Sequence, residues 1–181
     1  MTAVVRAEFK HYRTSNNSVG ETLPCLECRV RPRGLSATNA AAYTALAPLC
    51  AGHQAFAVPT RLTPVKALVG LREGLTPSGD DFLVGLLAVL HITGFLSGHV
   101  GSPVHAQFCQ CLRLGTSQLS GEFLRCAFEG HFAEPLVLLV QALWAPATDA
   151  WPGHAATLAA VGHSSGVDAM VGIALGGRLL I

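Results

Sequence analysis

A chain of 181 residues, half of them apolar and 13% charged, suffices for one compact domain around a single core. A surface so sparing in charge points to a covered interface, in an oligomer or a complex. A net charge of +1 with few aromatics and no basic stripe argues against nucleic acid as a partner.

In chain order, the N-terminal stretch MTAVVRAEFKHYR is charged and lacks a continuous apolar run, so it does not read as a secretory signal. Cytoplasm is the default location, and the six cysteines are expected to be reduced. Residues 1–35 read as irregular or β-containing, with Ser15-Asn16-Asn17-Ser18 and Arg31-Pro32-Arg33-Gly34 as loop signals. Ser36 caps a predicted helix over 37–47 that Pro48 stops.

The same region holds Cys25-x-x-Cys28 followed by Cys50-x-x-His53, a donor set that can make a tetrahedral Cys3His structural zinc site. The alternative is free thiols, with Cys50 packed as a small apolar residue.

From Thr63 the punctuation becomes regular. Thr63-Pro64 opens a short helix predicted to run through Arg72 and to end at Gly74. The loop 75–79 leads to a long apolar helix from Asp80 to about Leu96. Its apolar part, Phe82 to Leu96, is about fifteen residues long with His91 and Gly94 inside it, and reads as a buried core helix, since a membrane span needs about 20. His91 reads as a hydrogen-bonded core histidine, and Cys109, Cys111 and Cys126 as core thiols.

Further helices are predicted over 104–114, from Thr116 or Ser117 to Gly130, from Glu134-Pro135 to Trp144, over 155–161 and over 167–175. The fold is therefore mainly α. Residues 1–62 are an N-terminal segment and 63–181 a helical domain.

Two segments of that domain match at an offset of 87 residues: Ser78-Gly79-Asp80-Asp81-Phe82-Leu83-Val84-Gly85 and Ser165-Gly166-Val167-Asp168-Ala169-Met170-Val171-Gly172. Both read S-G-x-D-x-x-V-G, and each follows a glycine-terminated helix. A serine caps, a glycine allows close approach, and a helix N-terminus offers N–H donors and positive dipole to an anion. Asp81 and Asp168 complement the dipole, or hold a cation or a ligand amide. Gly85 and Gly172 let the two helices cross closely, which would gather both loops in one cleft. Taken singly, each motif is better explained as a helix cap; taken as a pair, they carry more hydroxyls and carboxylates than caps require.

The run Gly74-Leu75-Thr76-Pro77-Ser78-Gly79-Asp80-Asp81-Phe82-Leu83, with Thr116-Ser117, Ser120 and Gly130, and then Gly162-His163-Ser164-Ser165-Gly166-x-Asp168, resembles the AllH-like proteins. The likeness covers roughly residues 65–178. Members include a subunit of bacterial oxamate carbamoyltransferase, in purine nitrogen metabolism. The resemblance implies transfer of a carbamoyl group between phosphate and the amide nitrogen of oxamate, within a complex of partner subunits. Beside it, the loops suggest a small anionic substrate held by Thr76, Ser78, Gly79, Asp80, Ser120, Ser164, Ser165 and Gly166, with His163, Asp81 and Asp168 acting on it. Two other readings compete: a non-catalytic small-anion-binding or regulatory module, such as a truncated paralogue, and a zinc-stabilised structural partner.

Overall fold

The computed structural model describes residues 4–6, 62–96, 98–145 and 149–179. The expected 37–47 helix and the zinc candidates Cys25, Cys28, Cys50 and His53 lie outside the described residues. Among those residues the order is β1 (Val4–Arg6), α1 (Leu62–Leu68), α2 (Ser78–Ile92), α3 (Pro103–Gly115), α4 (Gln118–Phe128), β2 (His131–Ala133), α5 (Glu134–Trp144), α6 (Trp151–Ala159) and α7 (Ser165–Leu179). The fold is mainly α, as its periodicity predicts. β1 and β2 pair antiparallel, with Val5 opposite Phe132.

Helices α2 and α7 form the central pair. α4 and α5 flank α2, α6 bridges α5 and α7, and α3 packs on α4. α2 is apolar almost all round because it is covered almost all round: Phe82, Leu83, Leu86, Leu87, Val89, Leu90 and Ile92 are all buried. Val171, Ile173 and Leu175 meet them from α7, and Leu124, Leu139 and Val140 complete the core. Each large side chain so buried contributes about 1.5–3 kcal/mol. Among the described residues no helix is long and apolar enough to cross a membrane.

Boundaries differ from expectation in informative places. α1 ends at Leu68, not at Gly74, because the chain turns at Gly70 (φ 72°), whose N–H reaches the Asp80 carboxylate 2.8 Å away. α2 ends at Ile92, where Gly94 adopts φ 75° and its N–H returns to the carbonyl of His91. α6 starts at Trp151, earlier than expected, since Pro152 suits a first helical turn. α7 runs on to Leu179. By contrast α5 matches its reading, starting at Glu134-Pro135 and ending at Trp144.

His91 is a bonded core histidine: Nε2 lies 2.8 Å from the carbonyl oxygen of Phe128, and burial lowers its pKa. Its ring also meets the edge of Phe132. The cysteines Cys109, Cys111 and Cys126 are only half-buried thiols, more accessible than core residues.

Candidate functional site

The repeated motif is a structural repeat. A Cβ on Gly85 would run into the carbonyl oxygen of Ala169, and a Cβ on Gly172 into that of Phe82. Phe82 and Ala169 occupy equivalent positions in the two motifs, so the contact is reciprocal, as in a local two-fold. The same holds one level out. Gly79 sits on the carbonyl of Leu68 at the end of α1, and Gly166 on that of Leu158 near the end of α6. Four glycines thus bring four helices closer than any side chain would allow.

This crossing sets the two loops side by side. Thr76 Oγ1 and Ser165 Oγ are 3.2 Å apart, joining the first motif to the second. Asp81 and Asp168 are the equivalent acids of the two first turns, and Asp81 feels the charge of Asp168 and the hydroxyls of Ser165 and Thr76. Asp168 is only 3% exposed, and its Oδ2 and that of Asp81 are buried with no hydrogen-bond partner among the described residues. Burial is the largest influence on Asp81 and pushes its carboxyl up to about 6; the charges of Asp168 and Asp80 push the same way, and the hydroxyls of Ser165 and Thr76 oppose them.

Asp80, the adjacent acid, has a different environment. It is 1% exposed and fully engaged: Gly70 N–H donates to Oδ1, and Thr116 Oγ1 and Ser120 Oγ (2.7 Å) donate to Oδ2. Ser117 caps α4 by accepting from Ser120 N–H, while its own hydroxyl donates to the carbonyl of Leu75. These bonds lash the 69–77 loop and the start of α4 to the first turn of α2. Three donors satisfy the oxygens of this buried carboxylate. The hydroxyl of Ser120, expected near the ligand, is spent on Asp80.

The helix-entrance amides are also occupied. Gly79 N–H donates to the carbonyl of Leu71, those of Asp80 and Asp81 to Pro77, Gly166 to Val161, and Asp168 to Ser164. The expectation that these donors face a ligand is corrected on that point. Ser78 is not the cap of α2 either; it lies buried inside the first turn, with Pro77 at the cap position and no side-chain cap bond. Proline before a helix starts the turn by its backbone angles and has no side-chain oxygen to offer.

Of the residues singled out from sequence, Thr76, Asp81, Ser165 and Asp168 converge. Asp80 and Ser120 form the buried brace beside them. Ser164 is half-buried, and His163 is exposed in the turn between α6 and α7. Two members of the brace are absent from the expected site: Gly70 carries no signal, and Thr116 reads as a helix cap and as part of the family run, with no role at the site.

Residues 68–177 match the family described as oxamate carbamoyltransferase subunit AllH. The chain belongs to the AllH family. The matched span runs from the end of α1 nearly to the end of α7, so it takes in both motifs and the brace between them. No solved structure matches the chain.

Proposed function

We propose that this AllH-family chain is a subunit of a carbamoyl-transfer enzyme of the oxamate/carbamoyl phosphate type, and that the Asp81–Asp168 cleft holds the reacting groups. One observation carries the reading. Two motifs far apart in the chain are joined by Thr76 and Ser165 around two buried carboxylate oxygens that the protein itself leaves unsatisfied. Helix capping requires neither the convergence nor the unsatisfied oxygens, which native interiors seldom tolerate without a function.

In the transfer, the amide nitrogen of oxamate attacks the carbonyl carbon of carbamoyl phosphate. A C–N bond forms, the C–O bond to phosphate breaks with its electron pair leaving on phosphate, and the nitrogen gives up one proton that phosphate takes. Most of the rate gain in such a reaction comes from positioning. Thr76, Ser164 and Ser165 supply hydroxyl donors to substrate oxygens, and the backbone at Ser78, Gly79 and Gly166 shapes the floor of the cleft. Asp81 and Asp168 fix the reacting groups, and the exposed His163 carries the proton. Partner subunits cover the apolar surface that includes Leu75, which is 75% exposed next to Thr76.

The test is carbamoyl transfer from carbamoyl phosphate to oxamate by the chain with and without its partner subunits. Asp168→Asn is expected to reduce the rate by at least about 100-fold, with circular dichroism unchanged. Wild-type activity in that variant would refute the assignment of the site.

A further inference from the structure

We infer that Asp81 and Asp168 together hold a hard divalent cation of the Mg2+ class, whose open coordination positions take water and the phosphate of the carbamoyl donor. The cation is argued from the cleft itself; its phosphate partner rests on the function proposed above.

The starting point is a mismatch of charge. Both substrates of the proposed reaction are anions, yet the junction of the two loops holds two carboxylates from the first turns of α2 and α7. A dianionic phosphate placed against them is repelled. A bound divalent ion reverses the sign of the field at that point.

The second observation is the state of the oxygens. Asp168 is only 3% exposed, and among the described residues its Oδ2 has no hydrogen-bond partner; the same is true of Asp81 Oδ2. Burying a carboxylate oxygen with no donor is costly. Asp80 shows what this fold does when a buried carboxylate is structural: it provides three donors. Next to it, and in the same turn, Asp81 is given none at Oδ2.

The donor set selects the ion. Carboxylates of Asp81 and Asp168 and hydroxyls of Thr76 and Ser165 are hard oxygen ligands. Among the described residues no group of three or more His, Cys, Asp and Glu forms a closed cage of the kind zinc takes. Two carboxylates with positions left for water and a substrate phosphate suit Mg2+.

The full-length chain, stripped with EDTA, is titrated with Mn2+ as a spectroscopic probe and with Mg2+ as competitor. One Mn2+ per chain is expected, displaced by Mg2+ and bound at least about tenfold more weakly by Asp168→Asn and by Asp81→Asn. Glu122→Gln, on the exposed face of α4, should bind as wild type. Carbamoyl phosphate should tighten Mn2+ binding, and Mn2+ should tighten carbamoyl phosphate by the same factor. Absence of Mn2+ binding by the wild-type chain, or equal binding by both Asp variants, overturns the cation. Carbamoyl phosphate bound equally well with Mn2+ and in EDTA removes the phosphate from the cation while leaving the functional reading intact. Mn2+ bound at the two acids with no carbamoyl phosphate bound in either condition upholds the cation and removes the proposed donor.

Discussion

The hydroxyl oxygens of Thr76 and Ser165 stand 3.2 Å apart across 89 positions of sequence, so the two loops share one hydrogen bond. Thr76→Val and Ser165→Ala should therefore be coupled. A double-mutant cycle by urea denaturation is expected to return a coupling of about 0.5–1.5 kcal/mol. Strict additivity would mean that the loops are held together by the helices alone.

The reciprocal glycine contacts make a sharper claim about packing. Gly85→Ala and Gly172→Ala each insert a methyl group into a backbone carbonyl, of Ala169 and Phe82 respectively. Each should lower stability by about 1–3 kcal/mol or more, despite the better helix propensity of alanine. Gly153→Ala is the control, because open space surrounds that position. It should be neutral or slightly stabilising. A comparable loss at all three positions would show that packing at the crossing is not the cause.

Asp80 should behave as a structural residue. Asp80→Ala leaves Thr116, Ser120 and the Gly70 amide without their acceptor, and is expected to cost about 3–5 kcal/mol, seen as a fall in urea midpoint. Ser120→Ala, which removes one donor of three, should cost about 1–2 kcal/mol. A fully stable Asp80→Ala chain would contradict the brace described above.

Asp81 should do the opposite near neutral pH. Its folded-state carboxyl is raised to about 6 from the ordinary 3.8, chiefly by burial, so the folded state holds the proton more tightly than the unfolded one. Below about pH 3.8 both states are protonated and nothing is lost. Stability then falls as pH rises through the interval, and the full penalty is present above about 6. Asp81→Asn in EDTA is expected to stabilise the chain by about 1–2 kcal/mol at pH 7, a figure reduced for the partial exposure of the group. The gain should vanish below about pH 4, which thermal melts across that range will show. A gain independent of pH would indicate repacking instead of relief of charge.

Much of this was legible beforehand. The apolar run of α2 with no polar face, Glu134-Pro135 ahead of α5, and the S-G-x-D-x-x-V-G echo are all local patterns, and each found its expected element. The echo also carried a long-range forecast, since a small residue four positions after a first-turn aspartate has little purpose except close helix crossing. That forecast held because glycine is the only residue that lets backbone meet backbone at that distance.

Other features could not be read along the chain. Asp80 and Asp81 are identical neighbours in sequence, and either could have been the brace. Consecutive helical positions point about 100° apart, so one side chain turned toward Gly70, Thr116 and Ser120 while the other turned toward α7. Whether an entrance amide faces a ligand or a carbonyl of its own chain likewise depends on what packs there, and here Leu71, Pro77, Val161 and Ser164 packed there first. The amino-acid order determined which helices form and where two of them could touch. Only the assembled structure decided which carboxylate is satisfied and which is left open, because a hydrogen bond needs a partner brought within about 3 Å and distant partners are delivered by tertiary packing alone.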